Sequence, residues 1–156
     1  MGVYESVLSP SCVLNEQLAR QIFDVLPEHG PIVIFLDRDS NCWPSNSEEF
    51  LKLEISESFI KELCSRIDDG VEPVITQVCD TCIAAAQLAT EHTNCGYVII
   101  ALPRYTSESA LVNIGLIETL LNQVTLIVKL VEKNRLLCEH QVRQSNIYDR
   151  NVVSSN

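Results

Sequence analysis

The stretch from Ser107 to about His140 limits what this chain can fold into more than any other. Ile114, Ile117, Leu121, Val124, Val128 and Val131 alternate spacings of three and four, which places them on one stripe of a helix. Leu116, Leu120, Ile127 and Leu130 form a second stripe beside it. No Gly or Pro interrupts the run after Gly115, so the spacing predicts one helix of about 34 residues, roughly 50 Å long. A domain of this length has a radius of gyration of about 15 Å, so such a helix projects beyond the body it packs on. One stripe must lie on that body and the other needs a partner. We assign the stripe Ile114, Ile117, Leu121, Val124, Val128 and Val131, with Leu18 and Ile22 of an earlier helix, to contact with a second copy. Polar replacements at Leu121, Val124 and Val128 are then expected to give monomer or aggregate.

The totals narrow the classes. At 156 residues the chain suits one domain with a real core. A net charge of −10 argues against a nucleic-acid surface, because phosphate contacts need clustered positive charge. No uninterrupted apolar run reaches the roughly 18 residues that mark a membrane span, and MGVYESVLSPSC has neither the basic start nor the apolar core of a signal peptide. Ser6 after Gly2 is a partial match to a myristoylation pattern, which we read as chance. The expected compartment is the cytoplasm. The chain has seven cysteines, an odd number scattered through apolar stretches, and most of them read as reduced, buried side chains rather than a disulfide framework.

Taken in order, residues 1–14 are a lead-in without periodicity. NEQLARQIFDVL reads as a helix with Asn15 as N-cap and Leu18, Ile22, Val25 and Leu26 on its apolar face, ended by Pro27 and Gly30. Ile32 to Leu36 is a β-branched apolar run entering the polar turn DRDSN, and Cys42 and Trp43 return as the second strand of a hairpin. Pro44 cannot donate to a ladder, so that strand belongs at an edge. SEEFLKLE is ambiguous. Ser56 caps a second amphipathic helix carrying Phe59, Leu63 and Ile67, with Gly70 at its end. EPVITQV, CIAAAQLA and CGYVIIALP read as three strands, the last two joined by TEHTN. Ser107 is then expected to cap the long helix, and SNIYDRNVVSSN to be a polar, frayed tail. The fold class is α+β: a five-stranded antiparallel sheet flanked by helices, with a long C-terminal helix.

Several residues invite a chemical reading. Cys79 and Cys82 form CDTC, and a CxxC supports redox exchange or supplies half a zinc site. Here it spans a strand break with no second pair, so packing is the ordinary reading and redox sensing the sharper one; no metal site is expected. Phe35, Trp43, Phe59 and Tyr97, with Cys82, are the side chains that would line a small-molecule cavity on the sheet. Trp43 and Tyr97 are preferred as walls, because each joins an apolar body to one polar handle. His29, His92 and His140 read as separate surface positions. Asp37 and Asp39 resemble the start of a calcium loop, but the alternation stops after two carboxylates and reads as a turn. Glu48 to Glu72 reads as a solvated acidic face. No catalytic set stands out, and an enzyme is not expected.

The half from CIAAAQLATEHTNCGYVIIALP to VEKN resembles a GAF domain: a strand of small residues, a short turn, Gly96 opening the next strand, a polar break and a long terminal helix. IVIFLDRDSNCWPSN likewise resembles the opening hairpin of GAF and the related PAS domains. The resemblance covers residues 15–137, leaving 138–156 as helix extension and tail or linker. It implies a regulatory domain of bacterial signalling proteins, with a small-ligand pocket on one face of the sheet. On the other face, the first and last helices would pair with a second copy, and an output domain would lie outside this chain. Nothing matches the family's cyclic-nucleotide signature, Cys82 lacks the following His of a bilin attachment site, and the surroundings of the reactive thiol in methionine sulfoxide reductases of this fold are absent. The cofactor is unknown. The alternatives are a cysteine-based redox switch or small thiol enzyme on the same fold, and a ligand-free structural dimerisation module.

Overall fold

Strand parity builds the centre of the molecule. In β1 (Ile32–Asp37) Val33 and Phe35 project to one side and Ile32 and Ile34 to the other, and all four are buried. Apolar residues on both faces require cover on both, which helices supply. The computed structural model describes residues 14–26, 29–91 and 93–154, with side chains as far as 148; the lead-in 1–13, Cys12, Pro27 and His92 lie outside these. Five antiparallel strands form one sheet in the order β2-β1-β5-β4-β3, with β2 at Cys42–Pro44, β3 at Val74–Val78, β4 at Thr81–Ala89 and β5 at Asn94–Pro103. Pro44 does sit on the edge strand. Gly96 is demanded by the pairing of β5 with β1, since its φ is +125° and a Cβ there would run into the carbonyl of Leu36.

Helix α1 (Glu16–Phe23) starts where Asn15 Oδ1 accepts the Leu18 N–H at 2.8 Å, and it buries Leu18, Ala19 and Ile22. The ambiguous acidic stretch is a helix, α2 (Ser47–Lys52), capped by Asn46 and closed by a Lys52–Glu49 pair at 2.8 Å. Helix α3 (Glu57–Asp68) is capped by Ser56 and buries Leu63 and Ile67. Helices α2 and α3 cover the face bearing Ile32, Ile34, Ile83 and Ile99, while α1 and the C-terminal helices cover the face bearing Phe35, Ala84, Val98 and Ile100.

The predicted single helix from Ser107 is two. Helix α4 (Ser107–Val112), capped by Thr106 rather than Ser107, ends at Asn113, and α5 (Ile114–Ser154) begins directly after it. Asn113 does both jobs: its N–H bonds back to Ser109 and Ala110, and its carbonyl accepts from Leu116 and Ile117. Helix α5 has 41 residues, about 60 Å, and continues through the stretch expected to be a frayed tail.

The assignment of the stripes is reversed. Ile117, Leu121, Val124 and Val128 are at most 7% exposed and belong to the chain's own core, with Leu18 and Ile22; Ile114 and Val131 are half-buried. The six buried residues, Leu18, Ile22, Ile117, Leu121, Val124 and Val128, are not a dimer seam, because they are already covered within the chain's own core. Leu116, Ile127 and Leu130 face outward. Contact with the body fades at Leu136, and every residue from Leu137 to Tyr148 is exposed.

Two substitutions test this partition. Val128→Asp should cost roughly 3–5 kcal/mol, since it buries an uncompensated charge, whereas Leu130→Glu, compared at concentrations where both proteins are monomeric, should change the stability by no more than about 0.5 kcal/mol. Thermal or urea unfolding followed by circular dichroism measures both. Gly96→Ala should destabilise by about 2–3 kcal/mol through the clash with Leu36.

Candidate functional site

The sheet separates the residues expected to share a pocket. Phe35, fully buried and stacked on Phe23 at 5.5 Å, lies on the α1/α5 face with Cys82 and the half-buried Trp43. Phe59 and Tyr97 pack on the opposite face. The five therefore do not line one cavity, and the preferred pair of walls, Trp43 and Tyr97, is split by the sheet itself.

On the α3 face Phe59 and Tyr97 pack, partly buried, against the core cluster. Tyr97 Oη donates to both carboxylate oxygens of Asp68, at 2.8 and 2.9 Å. Burial and this acceptor hold the phenol protonated and push its pKa up to about 12, while burial and the Asp68 charge raise the Cys64 thiol to about 11. The CDTC cysteines have different surroundings. Cys79 occupies the tight turn between β3 and β4, exposed and at a left-handed φ of +53°, whereas Cys82 on β4 is buried and burial raises its pKa. That disfavours Cys82 as a nucleophile at neutral pH. Asp37 is used by its own turn: Oδ1 accepts the N–H groups of Asp39 at 2.9 Å and Asn41 at 2.8 Å.

A cleft of about 1240 Å³ opens at one end of the sheet, on the side of α1 and α5. It exists because α1 stops at Phe23 and α5 starts at Ile114, leaving the start of β1 and the end of β5 partly uncovered between them. Phe23, Leu26, Leu102 and Leu120 form an apolar floor continuous with the core. Asp24, His29, Glu49, Arg104 and Asn113 stand around it. Glu49 is paired with Lys52, so Asp24 and Arg104 are left as its two uncompensated fixed charges of opposite sign among the described residues. Arg104 sits at φ +67°, a conformation a non-glycine residue rarely adopts, held where its N–H donates to the Asp80 carbonyl at 2.9 Å. An apolar floor with polar groups of both signs is suited to hold a small amphipathic molecule.

Sequence reasoning missed this cleft. Its walls include Leu26, His29, Gly30 and Pro31, then Leu102 to Tyr105 and the α4–α5 junction, which look like ordinary turns, and only the antiparallel register of Ile32 with Ala101 brings the first two groups together. Leu116 and Leu120, at the root of α5, belong both to the cleft wall and to the outward stripe.

That helix has one further property. Within Ile114–Tyr148 one 18-residue window reaches a mean hydropathy of 1.6, long and apolar enough, by length and composition alone, to cross a membrane. The expectation drawn from uninterrupted runs does not register such a window, because Glu118, Asn122, Gln123 and Lys129 punctuate it. Where α5 crosses the sheet, the fold uses one of its stripes as core. Comparison with family models, with curated proteins and with solved structures returns no match.

Two measurements follow. In the unfolded chain Tyr97 titrates near its ordinary value of 10.0, and in the folded chain at about 12. Its contribution to stability is therefore whole below pH 10 and is lost as the pH rises through about 12; Tyr97→Phe should remove that part of the alkaline loss in pH-dependent unfolding. Thiol labelling of native protein at pH 7 should modify Cys79 and Cys138, both exposed, and leave Cys82 and Cys95 unmodified until denaturant is added.

Proposed function

We propose that this chain is a GAF-like sensory or regulatory domain of a bacterial signalling protein, acting in the cytoplasm as a homodimer, with its small-molecule site in the cleft at the root of α5. One observation carries the reading: the cleft is walled by Leu116, Ile117 and Leu120, the first turns of the same helix that leaves the body. A molecule seated there touches the element that, among the described residues, reaches beyond the domain. Occupancy that favours one position of α5 over another shifts the relative placement of two paired helices, and their distal ends pass that shift to an output domain outside this chain.

The small molecule has an apolar body for Phe23, Leu26 and Leu102 and a polar end for Arg104 or Asp24. The α3 face, where Phe59 and Tyr97 pack as core, supports a second reading: a dimerisation module without a ligand. A redox role would rest on Cys79 alone, because Cys82 is buried.

Native mass spectrometry of freshly purified protein separates these. The expected result is a dimer of twice 17.5 kDa carrying a small-molecule adduct, with Leu102→Trp abolishing the adduct but keeping the dimer. A dimer without adduct assigns the dimerisation module, and a monomer at micromolar concentration overturns the reading as a whole.

A further inference from the structure

The outward face of α5 carries a pattern that the cleft shares only at its first two positions, Leu116 and Leu120. Leu116, Leu120, Ile127, Leu130 and Leu137 fall at alternating spacings of four, seven, three and seven, the a and d positions of a heptad. The positions between and beyond them are Gln123, Asn134, Gln141 and Gln144, and the series closes at Tyr148. All but the half-buried Leu120 are exposed. Charged residues are frequent along the helix, at Glu118, Lys129, Glu132, Lys133, Arg135 and Glu139, yet none falls on this seam. The seam also runs straight through Leu136, where the body ends, into a segment that nothing else in the described chain supports. A solvated helix that long is marginal by itself.

We infer that the occupant of this seam is a second copy of the same helix, parallel and in register, from Leu116 to Tyr148. The inference rests on the dimer reading above and adds its geometry. The seam is apolar except for side-chain amides, and an amide both donates and accepts, so each is satisfied by its own counterpart: Gln123, Asn134, Gln141 and Gln144 each meet themselves across the axis. Every leucine then meets a leucine and Ile127 meets Ile127. The best antiparallel arrangement, centred between Val128 and Lys129, also sets Gln123 against Asn134. It places Leu116 opposite Gln141 on both sides and leaves Gln144 and Tyr148 without a layer. Ile127 at an a position with Leu130 at d, and a polar Asn134 at a, favour two parallel strands and one register. The parallel arrangement sends both C-terminal ends out side by side and sets both clefts at the same end of the pair, flanking the first layers at Leu116 and Leu120.

Disulfide trapping tests the orientation in full-length protein with Cys12→Ser, Cys79→Ser and Cys138→Ser. The parallel register brings residue 141 against its counterpart, so Gln141→Cys alone should convert most of the protein to a covalent dimer under mild oxidation. In the antiparallel arrangement two such thiols are about 37 Å apart. Gln141→Cys would then stay uncrosslinked and would link only to Leu116→Cys chains; that result overturns this inference and leaves the dimer standing. Leu130→Glu with Leu137→Glu should weaken dimerisation at least about 100-fold while the near-ultraviolet circular dichroism of Trp43 in the body stays the same, because both side chains are exposed in the single chain. A wild-type monomer overturns this inference and the dimer reading together, as does a monomer that sediments with phosphatidylcholine vesicles, which would assign the seam to lipid.

Discussion

The fit of α5 onto the middle of the sheet is the constraint from which the rest follows. Ile117, Leu121, Val124 and Val128 lie over a floor to which β4 contributes Cys82, Ala84 and Ala86, and β5 contributes Val98 and Ile100. Small side chains on β4 let the helix axis come close, so four branched residues are removed from water along about three turns. At roughly 1.5–3 kcal/mol for each fully buried side chain, no other helix contributes a comparable set on this face. Helix α1 fills the space beside it through Leu18, Ala19 and Ile22.

That packing gives the helix two unlike halves. From Ile114 to Glu132 it belongs to the domain, and the last buried position is a carboxylate: Glu132, 3% exposed, accepts from Thr90 Oγ1 at 2.6 Å and ties α5 to the β4–β5 connection. Beyond Leu136 every side chain as far as Tyr148 is exposed. The same placement makes the cleft, because a helix that crosses the sheet on this line leaves the β1–β5 end open beside its first turn. The cleft and the projecting helix are therefore neighbours as a consequence of one packing choice.

Much of the fold was legible beforehand because it depends on local physics. Asn15 and Ser56 cap helices for reasons contained within four residues, Pro44 excludes a central strand wherever it stands, and the runs Ile32–Leu36 and Val98–Ala101 are too apolar for a half-exposed strand. The α4–α5 break was not legible, since Asn113 carries no unusual propensity and its effect depends on where α4 docks. The distal helix was misread as a frayed tail because its polarity reflects freedom from the body, which a tail shares. The candidate pocket failed for a different reason: parity along a strand says that neighbouring residues face opposite ways, but not which faces of different strands coincide. Phe35 and Tyr97 needed the β1–β5 register before they could be assigned to opposite sides.

The sequence by itself determined that a long helix with two apolar stripes must serve two surfaces, and that five strands form an antiparallel sheet flanked by helices. Only the tertiary structure decided which stripe lies on the sheet, where the cleft opens and which turns line it. The reason is that helical periodicity fixes the angle between two stripes but is blind to rotation about the helix axis. That rotation is set by the shape of the opposing surface, here the small residues of β4, and such a surface exists only once strands distant in sequence have paired.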